Sequence, residues 1–138
     1  MHWANVWPAL SALFSGITAL IALWAMFRWR NQEELKAKLN FKIAIADYAY
    51  HLAKMPETLE QPHIRHSQVD SSNRLTEIMS ACFNAWIICE GLLDSKKNVR
   101  ESWEFLFENH IRFINGELDK SILGEKCVVI LNEKFVFK

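Results

Sequence analysis

From Trp3 to Phe27 the chain reads WANVWPALSALFSGITALIALWAMF, without one Asp, Glu, Lys or Arg. Elsewhere charged residues occur at ordinary density. The 20 residues from Pro8 to Phe27, wound as a helix, cover roughly 30 Å, the thickness of a bilayer's hydrocarbon core. The stretch therefore predicts a single transmembrane helix spanning about residues 7–27. A cleaved signal peptide would instead begin with a positive charge, hold a shorter apolar core and end in a small-x-small site. Here Met1-His2 bring no Lys or Arg. The run ends in Trp24-Ala25-Met26-Phe27-Arg28-Trp29-Arg30, aromatic residues followed by arginines, as a stop-transfer flank does. A buried helix of a soluble protein is the third alternative, but such helices seldom run this long without a charge.

Trp3 and Trp7 lie at one end of the segment, Trp24 and Trp29 at the other. An indole ring prefers the headgroup level, where its body is buried and its N–H stays wet. These four Trp, with Arg28 and Arg30, are the expected interface anchors. Pro8 suits the first helical turn, where a missing N–H removes no hydrogen bond. Beyond the segment stand Arg28, Arg30, Lys36, Lys38 and Lys42, against only the α-amino group and His2 before it. Lys and Arg are retained in the cytoplasm. The expected topology is single-pass, with the N-terminus outside and the rest inside. An anchor followed by a small helical domain is similar in layout, though not in motif, to small bacterial inner-membrane proteins. That likeness sets the expected location.

The segment is two-faced by size. At about 100° per residue, Ser11, Ala12, Ser15, Gly16, Thr18, Ala19, Ala22 and Ala25 gather on one side. Leu10, Leu13, Phe14, Ile17, Leu20, Ile21, Trp24 and Phe27 gather on the other. Ser11, Ser15, Thr18, Ala22 and Ala25 follow one another by four, three, four and three residues, a heptad seam of small side chains. Small residues let helix backbones approach, and hydroxyls can bond across the contact. The expected partners are membrane lipid and either a second copy or another membrane protein.

The 138 residues carry 16 basic and 16 acidic side chains. Such a balance gives nucleic acid no bulk attraction, so none is expected as a partner. Few Gly and Pro disfavour disorder and β-rich folds. The expected organisation is an anchor over residues 1–29 and a cytoplasmic helical domain over 30–138 with a loop near 56–72. The fold class is all-α, a membrane helix continuing into a small bundle. Cys127 to Leu131 and Phe135 to Phe137 are β-prone runs, so a short C-terminal β-hairpin is one expectation for the tail and a short helix the other. Cys82, Cys89 and Cys127 are odd in number and sit in apolar runs, as buried reduced thiols do.

Residues 28–55 hold no Gly or Pro. Two stripes run along them: Leu35, Leu39, Ile43, Ala46, Tyr50 and Ala53, and beside it Phe41, Ile45, Tyr48, Leu52 and Met55. Together they predict a wide apolar face inside a bundle. A second soluble helix is expected over 73–94, with Asp70, Ser71, Ser72 and Asn73 as cap candidates and Leu75, Met79, Cys82, Trp86, Cys89 and Leu93 facing the core. Glu90 is its one carboxylate expected to be partly buried. A third helix is expected over 98–115, with Asn98 and Glu101 at capping-box spacing, Trp103, Leu106, Phe107, His110 and Ile114 on one face, and Gly116 as its stop. His63 and His66 flank Arg65 in the connecting loop, without a carboxylate or cysteine at ligand spacing. The loop and its Arg65 would face lipid headgroups if it folded back.

No Walker loop, Gly-x-Gly-x-x-Gly, Gly-x-Ser-x-Gly or Cys-x-x-Cys occurs. No enzyme, cofactor or metal site is expected. The function that fits is an adaptor or assembly subunit working through helix–helix association. The alternative is a membrane-acting effector, a toxin or a phage-defence or exclusion factor, whose anchors oligomerise. A membrane-bound enzyme using Glu90 and His110 ranks last.

Overall fold

A computed structural model describes residues 6–89 and 91–135. Trp3 and Glu90 lie outside the described residues. All regular structure among those described is helical: α1 (Val6–Ala53), α2 (Pro62–Ser67), α3 (Val69–Ile88), α4 (Lys97–Ile114) and α5 (Lys120–Asn132). The chain forms two compact units, Met1–Glu34 and Leu35–Lys138, and the boundary falls inside α1.

In the first unit α1 stands alone. Every side chain from Val6 to Glu33 is exposed. Its strongest 18-residue window has a mean hydropathy of 2.0, and none of it is buried. It is the one helix among the described residues long and apolar enough to cross a membrane.

In the second unit α1 buries a single stripe, Phe41, Ile45, Tyr48 and Leu52. Spacing of four, three and four residues keeps these on one side of a 3.6-residue helix. Phe41 meets Trp86 of α3 at 5.2 Å and Trp103 of α4 at 5.6 Å between ring centroids, the latter edge-on, a preferred aromatic geometry. Leu75, Met79 and Cys82 of α3, Val99, Leu106 and Phe113 of α4, and Leu123, Cys127 and Ile130 of α5 join the core, as do Leu59 and Leu93 from the connections. The neighbouring stripe is not part of it. Leu39, Ile43, Ala46, Tyr50 and Ala53 are exposed, so the wide core-facing surface expected of this helix is a narrow one. Only one side of α1 meets α3 and α4, and the second stripe lies around the far side.

From Lys120 to Asn132 the tail is a helix, and no hairpin forms among the described residues; Val136 and Phe137 of the second β-prone run lie outside them. Leu123, Cys127 and Ile130 recur at helical spacing and are fully buried, while Val128 and Val129 point outward. Burying that stripe outweighs the β propensity of Val and Ile, and two strands would have left an exposed edge. The ends of α5 are held by lysines. Lys120 Nζ donates to the carbonyls of Ala53 at 3.2 Å and Met55 at 2.8 Å, satisfying groups left open where α1 ends. Lys96 Nζ reaches Glu133 Oε1 at 3.1 Å and Lys42 Nζ the Glu133 carbonyl at 2.9 Å.

The expected loop over 56–72 is much shorter. Pro62 opens α2, its fixed φ suiting a first turn, and α3 starts at Val69. Arg65, half-buried, is engaged by the backbone around it. Its Nη1 donates to the carbonyls of Leu59 at 3.0 Å and Glu60 at 2.8 Å, pinning the segment to the bundle. Neither expected cap forms. The N-cap positions are Gln68 for α3 and Lys96 for α4, and neither makes a side-chain capping bond. α3 also ends at Ile88 rather than 94, with Ile87 and Ile88 exposed.

Gly116 does end α4. Its φ is +82°, the Gly116 N–H donates to Phe113 O at 2.9 Å and the Glu117 N–H to Arg112 O at 2.8 Å, a Schellman closure. A Cβ here would also collide with the Leu59 carbonyl. Gly124, inside α5, has nothing within 4 Å of a Cβ. Gly116→Ala should therefore lower stability by roughly 1–3 kcal/mol. Gly124→Ala should raise it by about 0.5–1 kcal/mol. Thermal melts of the full chain in detergent check both signs.

Candidate functional site

Two features concentrate chemistry. The first is the uncovered surface of α1 in the membrane-length unit. Ser11, Ala12, Ser15, Gly16, Thr18, Ala19, Ala22 and Ala25 are all exposed, as are Leu13, Phe14, Ile17 and Leu20 across the helix. A Cβ on Gly16 would meet nothing within 4 Å, so the chain's own packing places no demand for glycine there. Thr18 Oγ1 donates to the Phe14 carbonyl at 2.8 Å, turning this hydroxyl back onto its own helix. Trp7, Trp24 and Trp29 are exposed, and the Arg28 guanidinium lies 5.3 Å over the Trp24 ring. Trp29 Nε1 donates to Glu33 at 3.3 Å, and Arg30 pairs with Glu34 at 3.5 Å. Aromatic bodies and charged heads thus share the end of the apolar run.

The second feature is a polar chain inside the bundle. His110 is 2% exposed. Its Nδ1 lies 2.9 Å from Tyr48 Oη and its Nε2 lies 3.1 Å from Thr76 Oγ1. Thr76 Oγ1 also lies 2.9 Å from the Ser72 carbonyl, which can only accept. With the single Thr76 proton on Ser72, Thr76 accepts from His110 Nε2–H, the one arrangement in which the Tyr48, His110 and Thr76 protons each find an acceptor. Nδ1 is then the acceptor of the Tyr48 O–H. One direction of donation runs from α1 through α4 to α3, ending on a backbone carbonyl. Among the described residues no buried side-chain polar atom lacks a partner.

Burial sets the protonation of this chain. Desolvation lowers His110 from 6.5 to about 4, so the ring is neutral at ordinary pH. Tyr48 is pushed up chiefly by burial, with smaller contributions from Cys127 and Cys82. Burial raises the thiols of Cys82 and Cys127 to about 12 and raises Cys89 as well, the last opposed by Lys38. All three cysteines are free and buried, as their apolar settings suggested. Such thiols are poor nucleophiles and metal ligands.

His110 has the histidine-on-the-core-face placement that its spacing implied, and both its nitrogens are engaged within the bundle. The Tyr48 and Thr76 partners were not legible, because they come from helices 62 and 34 residues away in sequence. His63 and His66 are exposed on α2, and no cluster of three metal-ligating side chains occurs among the described residues. Beside Thr76 and His110, Met79, Phe83, Phe107 and Ile111 line a shallow apolar cleft of about 560 Å³ between α3 and α4.

Compared with protein-family models, curated proteins and solved structures, the chain matches none. The class that the fold defines is a chain all-helical in its regular structure among the described residues, one of those helices, near the N-terminus, being of membrane-spanning length and composition.

The His110 shift carries a pH dependence. An unfolded chain binds a proton at this ring near pH 6.5, the folded chain only near 4. Between those values the unfolded state holds more protons, so stability falls with falling pH. The contribution is fully present above pH 6.5 and is lost as pH drops through 4, on the order of 3 kcal/mol in all. Unfolding of the full chain in detergent, followed at pH 4 to 7, should show this slope. His110→Gln should be less stable at pH 7 and have a flatter profile. An unchanged slope in the variant would assign the acid sensitivity elsewhere.

Proposed function

We propose that this chain is a single-pass protein of a bacterial inner membrane, an adaptor or assembly subunit that works through helix–helix association. α1 crosses the bilayer with the N-terminus outside, and the bundle from Leu35 onward is cytoplasmic. One observation carries the reading: an 18-residue apolar window of α1 is 0% buried by its own chain. A core helix would be covered by its bundle; this one leaves Leu13, Phe14, Leu20 and Ile21 bare. Large apolar surfaces on soluble chains are rare, and lipid is the solvent that covers such a helix evenly. The lysines and arginines beyond the segment support the orientation.

Association is drawn from the small face. In lipid, apolar area gives helices little reason to pair, and close backbone contact over Ser, Gly and Ala supplies it. Ser11, Ser15, Gly16, Thr18 and Ala22 form that contact between copies, while Leu13, Ile17 and Leu20 face lipid. An effector that lines a wet path would need many copies of a single span, and no charged side chain lines this one. Adaptor is therefore favoured over effector.

Protease added outside spheroplasts should leave the bundle intact; its digestion from outside would reverse the topology. In membranes, Gly16→Leu and Ala19→Leu should each cost association about 1–3 kcal/mol by overpacking the contact. Leu20→Ala should matter less. Equal two-hybrid signals for Gly16→Leu, Ala19→Leu and the unaltered chain would refute self-packing through the small face.

A further inference from the structure

The second stripe of α1 is left without cover in the soluble unit. Ile43 is 66% exposed and Tyr50 58%, and Leu39, Ala46 and Ala53 are exposed with them. Apolar residues repeating by four and three along an exposed helix, here the large Leu39, Ile43 and Tyr50 with Ala46 and Ala53 between and after them, have the spacing of the seam of a helix pair. Ile43 and Tyr50 take one seam position, Leu39, Ala46 and Ala53 the other. Counted back from Leu39 by three and four, the sequence gives Lys36, Gln32, Trp29, Ala25, Ala22, Thr18, Ser15 and Ser11. The small-residue seam of the membrane segment and the bare stripe of the soluble unit thus obey one uninterrupted count.

We propose that the Leu39–Ala53 stripe docks on the same stripe of a second copy, parallel and in register, as a short two-stranded coiled coil. The proposal rests on the reading of α1 as a self-associating membrane span. Two copies anchored the same way can pair only in parallel. In that arrangement the residue just before one seam position faces the residue five further along the partner helix. Lys42 then faces Asp47 of the second copy, and Arg28 faces Glu33. The other two such pairs, Leu35 with Asn40 and Ala49 with Lys54, hold no like charges. The parallel register is therefore attractive or neutral at every flanking pair; the one like-charge contact, Lys36 with its own copy in the seam, falls just before the Leu39–Ala53 stripe.

The groups involved already have partners within one chain. Asp47 lies 3.3 Å from His51 Nδ1, and Lys42 donates to the Glu133 carbonyl. A lysine ammonium has three protons and a carboxylate two oxygens, so both can keep these contacts and meet across the pair.

The test is mild oxidation of full-length chains in native membranes, carrying Ile43→Cys, Ala46→Cys or Tyr50→Cys. Glu104→Cys, exposed on α4, is the off-stripe control, and the unaltered chain with its three buried thiols sets the background. Disulfide-linked dimers should form several-fold more at the three stripe positions than at position 104. Equal crosslinking, or capture of a different protein at the stripe, overturns the proposal. Ser15→Cys reports separately on the membrane seam. If it crosslinks and the stripe does not, only the coiled coil fails; if neither crosslinks, self-association of the span fails as well. Asp47→Lys should weaken the Ile43→Cys crosslink by opposing two lysines, and adding Lys42→Glu should restore it. Persistent loss in the double variant, with helicity unchanged, contradicts the parallel register.

Discussion

Phe41 is the side chain on which the bundle of the second unit depends. Fully buried, it meets indole rings from two other helices, Trp86 and Trp103, which themselves approach to 5.9 Å. It is the first large residue of α1 to be covered by other helices. Below it Ile45, Tyr48 and Leu52 follow at helical spacing, so seating Phe41 sets the rotation of this part of α1. The rotation in turn sends Tyr48 to His110 and leaves Ile43 and Tyr50 outside. A buried aromatic of this size carries about 3–5 kcal/mol against truncation to Ala, a large share of a small domain's stability.

The polar chain from Tyr48 through His110 and Thr76 to Ser72 follows from that seating. Three helices contribute to it, and each donor has one acceptor. A fully satisfied network is directional in a way that apolar packing is not. It ties α1, α3 and α4 together at one height and holds the imidazole neutral. The price is acid sensitivity, because a proton on Nδ1 would displace the one donated by Tyr48.

Much of this could be read from spacing. The run from Trp3 to Phe27 shows by its lack of charge, the helical bundle and the core stripes of α3 and α4 show by a period near 3.6, and Gly116 is a local signal of a helix end. What escaped depends on tertiary packing. Two apolar stripes on α1 look alike in sequence; only the positions of Trp86 and Trp103 decide that Phe41 is covered and Ile43 is not. The tail from Cys127 to Leu131 has the composition of a strand, and α5 forms because a stripe of three residues finds the core. Pro62 reads as a loop breaker and opens a helix instead. The helix starts at Gln68 and Lys96 lack side-chain caps, so a search for Ser, Thr, Asp or Asn misplaces both. The small face from Ser11 to Ala25 was visible as a pattern, and all of it is exposed on α1.

The central claim is that lipid covers the apolar length of α1. Alkaline carbonate extraction of membranes from cells expressing the chain, with the mass of the recovered protein measured, tests it most directly. The account predicts that the protein stays in the membrane pellet with Trp3 to Phe27 still attached. Release of the full-length chain into the soluble fraction, or recovery of a product cleaved after the apolar segment, would contradict it.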